Sequence, residues 1–478
     1  MSALPLWTYA EARTATGGRC TWEWLATGIA IDSRTVAPGD LFVALRGPNF
    51  DGHDFVTDAL AKGAVAAVVD RAAETLSAGA PLLMVDDTLE ALRALAGAAR
   101  ARTAARIVGV TGSVGKTGVK EALRLVLSRQ GPTTANQGSL NNHWGLPLSL
   151  ARLHKNDAFG VFEMGMNHPG EIIPLTRLAR PDVAVVTTVE AVHMESFPSL
   201  EAIADAKAEI FAGCGPDATA VLFRDNAYFS RLAAAARHAG IRHVLGFGGD
   251  AFADVRLLSS RLDAEQSRVR AMVGGRVVEY HVGLPGSHWV TNSLCVLATV
   301  AGLGADVEAA AEALADLQPA KGRGQRFTVA VEGGSFDLVD DSYNASPVSM
   351  AASFAVLGGL TPGQGGRRIA VVGDMLELGL DELALHAGLA HPLAAHGVDL
   401  VFTAGPRMRA LFDVLPASMR GAHAADSAHL APIVAEAVHA GDVVAVKGSA
   451  GSHMGRVVDA LKALPPAHGK PARRGRGG

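Results

Sequence analysis

The sharpest change in the periodicity of this chain falls between residues 107 and 131. Residues 107–110 form a short apolar run that predicts a buried strand. A glycine-rich turn follows, Gly112-Ser-Val-Gly-Lys-Thr117, and the period then lengthens. Val119, Ala122, Leu123, Val126 and Leu127 recur at helical spacing as far as the Gly131-Pro132 stop. Upstream, residues 41–45 and 64–70 predict strands and 55–62 a helix, separated by turn-rich loops at 32–40 and 46–53. Downstream, 158–162 and 182–188 read as strands, while 202–211 and the segment starting at Gly286 read as helices. Beyond a Pro- and Gly-containing stretch at 316–326, strands at 336–340, 368–372, 400–403 and 443–446 alternate with helices, which predicts a Rossmann-like sheet.

The pattern predicts an α/β chain of three domains. Residues 1–100 form a small α/β unit, 101–318 a central unit with a parallel sheet and the glycine-rich turn, and 319–464 the Rossmann-like unit. Residues 465–478 carry Pro, Gly and basic side chains and read as a disordered, solvated tail. A length of 478 residues exceeds what one hydrophobic core organises. A net charge of −4 argues against a general nucleic-acid or membrane binder. Cys20, Cys214 and Cys295 have no metal-ligand spacing and make no even disulfide set, which suits a reducing cytoplasm. No apolar run approaches the ~18 residues of a membrane span, and no export signal is evident.

Strand, glycine turn and helix together make a phosphate cradle. Gly112 and Gly115 let backbone N–H groups of Ser113, Val114 and their neighbours turn inward, and the helix start favours negative charge. Lys116 reaches the β and γ phosphates, and the Thr117 hydroxyl ligates Mg²⁺. The strict pattern has glycine where this chain has Val110. Glu163 closes a strand, a position where a metal in such a fold finds an oxygen ligand; a surface acid is the plain alternative. Elsewhere the residues leave two readings open. Asp32 and Asp51 are turn residues or part of a ligand loop, and His193 is a satisfied loop histidine or a ligand-shell group. Lys207, between Ala206 and Ala208, reads locally as a solvated helix face.

Several motifs in one order resemble the Mur ligase family, over the chain up to about residue 460. They are Thr111-Gly-Ser-Val-Gly-Lys-Thr117, Glu163 in Glu-Met-Gly-Met-Asn-His, His193 in His-Met-Glu-Ser-Phe, and Lys207 in Ala-Lys-Ala-Glu-Ile-Phe. His288 with Asn292, Arg323 in Gly-Arg-Gly and Asp341 in Asp-Asp-Ser-Tyr-Asn-Ala-Ser-Pro continue the series. Near the N-terminus, Asp-Ser-Arg-Thr-Val-Ala-Pro-Gly-Asp-Leu-Phe and Phe-Asp-Gly-His-Asp-Phe resemble the UDP-sugar domain of the later peptide-adding members. Trp289 stands where Asn is usual, Phe223-Arg-Asp225 replaces an Asn-x-Asp pattern, and Ala450 stands where Arg is frequent.

The resemblance implies a cytoplasmic ATP-dependent amide ligase of peptidoglycan synthesis, acting on small molecules; a monomer is the default expectation, and the charge balance predicts no nucleic-acid or membrane partner. It would join D-alanyl-D-alanine to UDP-N-acetylmuramoyl-tripeptide through an acyl phosphate. ATP and a pair of Mg²⁺ ions are the implied cofactors, one ion held by Thr117 and Glu163, the other by His193 and a carbamylated Lys207. Lys116, Lys207 and His193 are the implied catalytic residues. Residues 112–117, His288, Asn292, Arg323 and Asp341 are implied for ATP. Ser33, Asp51, Gly52, His53, Asn141 and Asn142 are the candidates for the UDP-sugar-peptide. A folylpolyglutamate synthase is the rival ligase, disfavoured by the UDP-domain motifs. A P-loop switch is the rival outside that class.

Overall fold

A computed structural model describes residues 5–71, 79–192 and 194–465 of the chain. His193 and the tail after residue 465 therefore lie outside the described residues. Apolar strands with buried faces on both sides build three main sheets, each flanked by helices. The first runs Arg19–Cys20, Leu82–Met84, Ala66–Val69, Asp40–Val43, Gly28–Ala30, parallel except at the Arg19–Cys20 edge.

The central sheet has nine strands and carries the glycine turn. Its order begins Thr133–Ala135, Phe159–Glu163, Arg106–Thr111, Val183–Val186, Thr219–Phe223 and His243–Gly248, all parallel. Strand Arg106–Thr111 thus lies between two strands reached in opposite directions, the switch point where open α/β sheets bind ligands. The helix Lys116–Ser128 buries the Val119, Ala122, Leu123, Val126 and Leu127 stripe against this sheet. Helix Ser287–Gly302 is buried along most of its length on the same face. The sheet ends in an antiparallel extension, Val255–Leu262, Ser267–Val273 and Arg276–Val282, which the sequence reading missed. The signal was present in Ser267–Val273, whose positions alternate between buried and exposed.

The C-terminal sheet runs Gln325–Val331, Gly334–Asp341, Val443–Lys447, Arg368–Gly373, Leu400–Ala404, Arg420–Ala424. Only the first pair is antiparallel. The segment read as a linker is partly ordered structure, since strand Gln325–Val331 begins within it.

The first unit is fastened to the central one by side chains that bond to backbone carbonyls. Trp7, 1% exposed, donates its indole N–H to Ala151 O at 2.9 Å. The Arg102 guanidinium lies 3.8 Å over the Trp7 ring and donates to Leu6 O, and Arg152 donates to Ile29 O. Replacing Trp7 by alanine leaves a cavity and an unpaired carbonyl, so Trp7→Ala should cost about 3–5 kcal/mol, read as a lower urea midpoint. Trp22→Ala, at a side chain 59% exposed, should stay within about 0.5 kcal/mol of wild type. Equal effects of the two substitutions would reject this account of the junction.

Candidate active site

The ends of the central and C-terminal strands face each other across a cavity of about 650 Å³, within the usual range for a ligand site. The glycine turn forms one wall. Gly112 adopts φ 145°, and a Cβ there would lie 1.9 Å from Thr187 Oγ1. Gly115 adopts φ 85° at the helix N-cap, with Asn292 Oδ1 only 2.9 Å from the position of a Cβ. Neither position accepts a side chain without displacing a neighbour. The turn is anchored from behind: Thr187 Oγ1 donates to Val114 O at 2.6 Å, Ser113 Oγ to Glu190 O at 3.0 Å.

Lys116 lies at the first helical position. Its Nζ donates to Gly112 O at 2.6 Å and Ser113 O at 3.1 Å. Desolvation pushes its pKa down, opposed by the Glu163 carboxylate. Thr117 Oγ1 donates to Glu163 Oε2 at 2.8 Å and accepts from Arg323 Nη2 at 3.1 Å. Glu163 is 2% exposed, and its other oxygen accepts from Asn141 Nδ2 at 2.8 Å. Arg323 stacks 4.2 Å over Tyr343, so a residue of the C-terminal unit reaches the turn of the central one.

Asp341 Oδ2 accepts from Lys447 Nζ at 2.7 Å, and Lys447 also donates to Asn344 O at 3.0 Å. His288 and Asn292 stand on the cavity wall with Leu284 and Pro285. Trp289 lines it too, packed so closely over the glycine-turn helix that a Cβ at Gly118 would approach its ring to 3.0 Å. The tryptophan therefore occupies helix surface and offers no amide. Asp225 is not left alone: it accepts from the amides of Gly249 and Asp250.

Lys207 is 2% exposed on helix Leu200–Ala208, in the interior near Lys116 rather than on a solvated face. Its Nζ makes no hydrogen bond among the described residues. Burial, then the neighbouring Lys116 cation, pushes its pKa well down, which favours the neutral amine. This corrects the local reading of a solvated lysine.

The proposed sugar-peptide residues divide. Asn141 and Asn142 line the cavity, and Asn142 Oδ1 also accepts from the Trp144 and Gly145 amides where helix Gly145–Ala151 begins. Ser33, Asp51, Gly52 and His53 do not line it. Asp51 accepts from the His53 amide and Nδ1 and from Arg71; these bonds outweigh burial and hold its carboxyl well below the usual range. His53 Nε2 accepts from the Asp70 amide. The Ser33 carbonyl accepts from Lys62. Sequence reasoning missed Asn136 and gave Lys447 no role, although a lysine closing a strand at the sheet's C-terminal edge is a readable signal.

A Mg²⁺ ion bound mostly by phosphate and water needs few protein oxygens, and the Thr117 hydroxyl beside one carboxylate fits that demand. No group of three or more His, Cys, Asp or Glu side chains forms an all-protein cage among the described residues. A glycine-turn cradle, one strand-end carboxylate and an arginine supplied by a facing sheet define a P-loop enzyme that handles a nucleoside triphosphate. Comparison with known proteins narrows the class. The Mur ligase middle domain matches residues 110–300, the Mur ligase glutamate ligase domain residues 325–450, and the Mur ligase family catalytic domain residues 26–100. The chain belongs to the Mur ligase family.

It is 36% identical to UDP-N-acetylmuramoyl-tripeptide–D-alanyl-D-alanine ligase of Escherichia coli (strain K12), over 91% of this chain and 93% of that one. It is 30% identical to the protein of that name from Rickettsia prowazekii, over 90% and 94% of the two chains. A crystal structure of MurF from Acinetobacter baumannii superposes with a TM-score of 0.81 at 28% identity, covering 95% of this chain and 98% of that one. MurF ligase from Thermotoga maritima in complex with ADP gives 0.75 at 29% identity, covering 91% and 97%.

One wall of the cavity, the loop from Asp374 to Gly379, depends on a neutral histidine. His386 is fully buried; its Nε2 accepts from the Met375 amide at 3.0 Å and its Nδ1 donates to Glu382 O at 2.5 Å. Burial pushes its pKa below the ordinary value. The unfolded chain therefore binds more protons below about pH 6.5, so this contribution is complete above that value and is lost as pH falls. In His386→Gln, the stability deficit against wild type should be largest near pH 7.5 and shrink towards about pH 5. A deficit independent of pH in urea unfolding would reject this role.

Proposed function

We propose that the protein is an ATP-dependent ligase that joins D-alanyl-D-alanine to UDP-N-acetylmuramoyl-tripeptide, the two substrates in the relatives' names, and releases ADP and phosphate. The observation that carries it is the Thr117–Glu163–Arg323 arrangement, which brings both units to one cavity at the glycine turn. In this reading the chain divides into a sugar-nucleotide unit at 1–100, an ATP unit at 101–318 and a ligase unit at 319–464. It works as a cytoplasmic monomer.

The reaction brings anions together, so positioning and positive charge carry the catalysis. A carboxylate oxygen of the peptide attacks the γ-phosphorus of ATP and ADP departs. The amine of D-alanyl-D-alanine then attacks the acyl carbon, phosphate leaves, and the amine gives up a proton. Lys116 and the amides of residues 112–117 neutralise the β and γ phosphates, and Arg323 approaches the γ-phosphate. Asp341 accepts from the ribose hydroxyls, while His288 and Asn292 border the adenine. Ser33, the loop holding Asp51, Gly52 and His53, and Asn141 with Asn142 serve the sugar-peptide. Thr117 and Glu163 hold one Mg²⁺, and His193 with carbamylated Lys207 holds another; the ions supply charge neutralisation on the phosphoryl oxygens.

A carbamate at Lys207 needs an unprotonated amine, and burial, then the neighbouring Lys116 cation, pushes its pKa well down in that direction. Lys207→Ala should lose most activity and regain part of it with short carboxylates. Lys207→Arg should be equally poor, since the guanidinium keeps its charge. Wild-type activity in Lys207→Arg would remove the carbamate from the mechanism.

Phosphate release in ATP and Mg²⁺ should require both D-alanyl-D-alanine and a UDP-tripeptide, assayed with lysine and with meso-diaminopimelate as third residue. Turnover with ATP alone at the full rate would instead identify a P-loop switch.

A further inference from the structure

Lys120 lies one turn beyond Lys116 on helix Lys116–Ser128 but is fully buried and does not line the cavity. Its Nζ donates to the Asn136 carbonyl at 2.8 Å and to Glu121 Oε1 at 2.5 Å. Burying an ammonium is costly even when it is paired, and an apolar chain would fill the same space without that cost. The contacts of Asn136 show what the charge holds in place.

Asn136 is 1% exposed, and its side chain brackets the backbone of Glu163. Its Oδ1 accepts from the Glu163 amide at 2.9 Å, and its Nδ2 donates to the Glu163 carbonyl at 3.3 Å and to Leu140 O at 3.0 Å. Asn141, in the same loop, holds the Glu163 carboxylate itself. One loop thus grips Glu163 at both backbone and side chain, and Lys120 ties that loop to the helix bearing Thr117. Glu121 has a different place: it is partly exposed, also pairs with Arg124, and makes no side-chain hydrogen bond to the loop among the described residues.

We propose that Lys120 is a positioning residue for the metal-binding pair, setting the separation of Thr117 Oγ1 from the Glu163 carboxylate through the Asn136 carbonyl. It rests on the reading of Thr117 and Glu163 as magnesium ligands given above. Groups that orient a metal ligand typically account for about 10- to 100-fold in metal affinity.

The test uses the full chain. In Lys120→Met the Mg²⁺ concentration for half-maximal phosphate release should rise about 10- to 100-fold. Mn²⁺ binding in the presence of ADP, followed by the electron paramagnetic resonance of the ion, should weaken by the same factor. KM for D-alanyl-D-alanine should not move. Lys120→Arg, still able to donate to the carbonyl, should recover most of the affinity, and Glu121→Gln should behave as wild type. Should Lys120→Met not fold, Lys120→Leu, which likewise has no donor, carries the test with the same expected direction. Lower thermal stability with unchanged Mn²⁺ affinity overturns the proposal, as does a shift in Glu121→Gln equal to that in the lysine variants. Glu163→Gln separates the two readings. If it loses Mn²⁺ while Lys120→Met keeps it, only the positioning role falls; if Glu163→Gln binds Mn²⁺ normally, the metal reading itself falls.

Discussion

A buried ammonium group is tolerated only where partners replace the water it has lost, and Lys120, Lys207 and Lys447 are all buried around one reaction centre. Each is treated differently. Lys447 meets a carboxylate and a carbonyl, and so fastens Asp341 and the following loop to the end of its own strand. Lys120 meets a carbonyl and a partly exposed carboxylate, and so fastens the 136–141 loop to the glycine-turn helix. Lys207 has no hydrogen-bond partner among the described residues, and for it the physics favours loss of the proton. The first two arrangements convert an electrostatic cost into fixed geometry. The third lowers the cost by favouring the neutral amine.

This division explains how much the sequence disclosed. The glycine turn, its strand and its helix were legible because every interaction that defines them lies within one short stretch, and the apolar stripe of Val119 to Leu127 marks the buried face directly. Glu163 was legible as a strand-end acid. Asn136 was not: its worth lies in contacts with Glu163 and Lys120, distant in sequence, and an asparagine in an amide-rich loop looks like any other turn residue. Lys207 failed for a related reason, since burial is decided by which helix face meets the core. The alternating pattern of Ser267–Val273 shows the opposite case, a strand whose evidence was local and was passed over.

Asp51 and His53 show a motif whose shape is set by its own side chains. Their polar atoms are engaged with each other, with Arg71 and with the Asp70 amide, so the loop reaches its shape through internal bonds. The first unit is likewise fastened to the central one by Trp7, Arg102 and Arg152 through backbone carbonyls, which side-chain exchange does not disturb. The C-terminal unit meets the centre differently, across a cavity and through long cations such as Arg323 and Arg326 reaching over to Thr117 and Ala264.

The cations and hydroxyls that would meet a triphosphate already have partners within the protein. Lys116 is bonded to Gly112 and Ser113 carbonyls, Thr117 to Glu163, Arg323 to Thr117 and the Tyr343 ring, and Lys447 to Asp341. Binding is then an exchange, and its free energy is the difference between old and new bonds rather than the sum of the new ones. The exchange is favourable where a neutral acceptor gives way to a charged one, as at Lys116, because hydrogen bonds between ionised groups are roughly twice as strong. It is close to balanced at Lys447, whose partner is already a carboxylate. Discrimination in favour of phosphate should therefore concentrate at the glycine turn, while the Asp341–Lys447 pair contributes position.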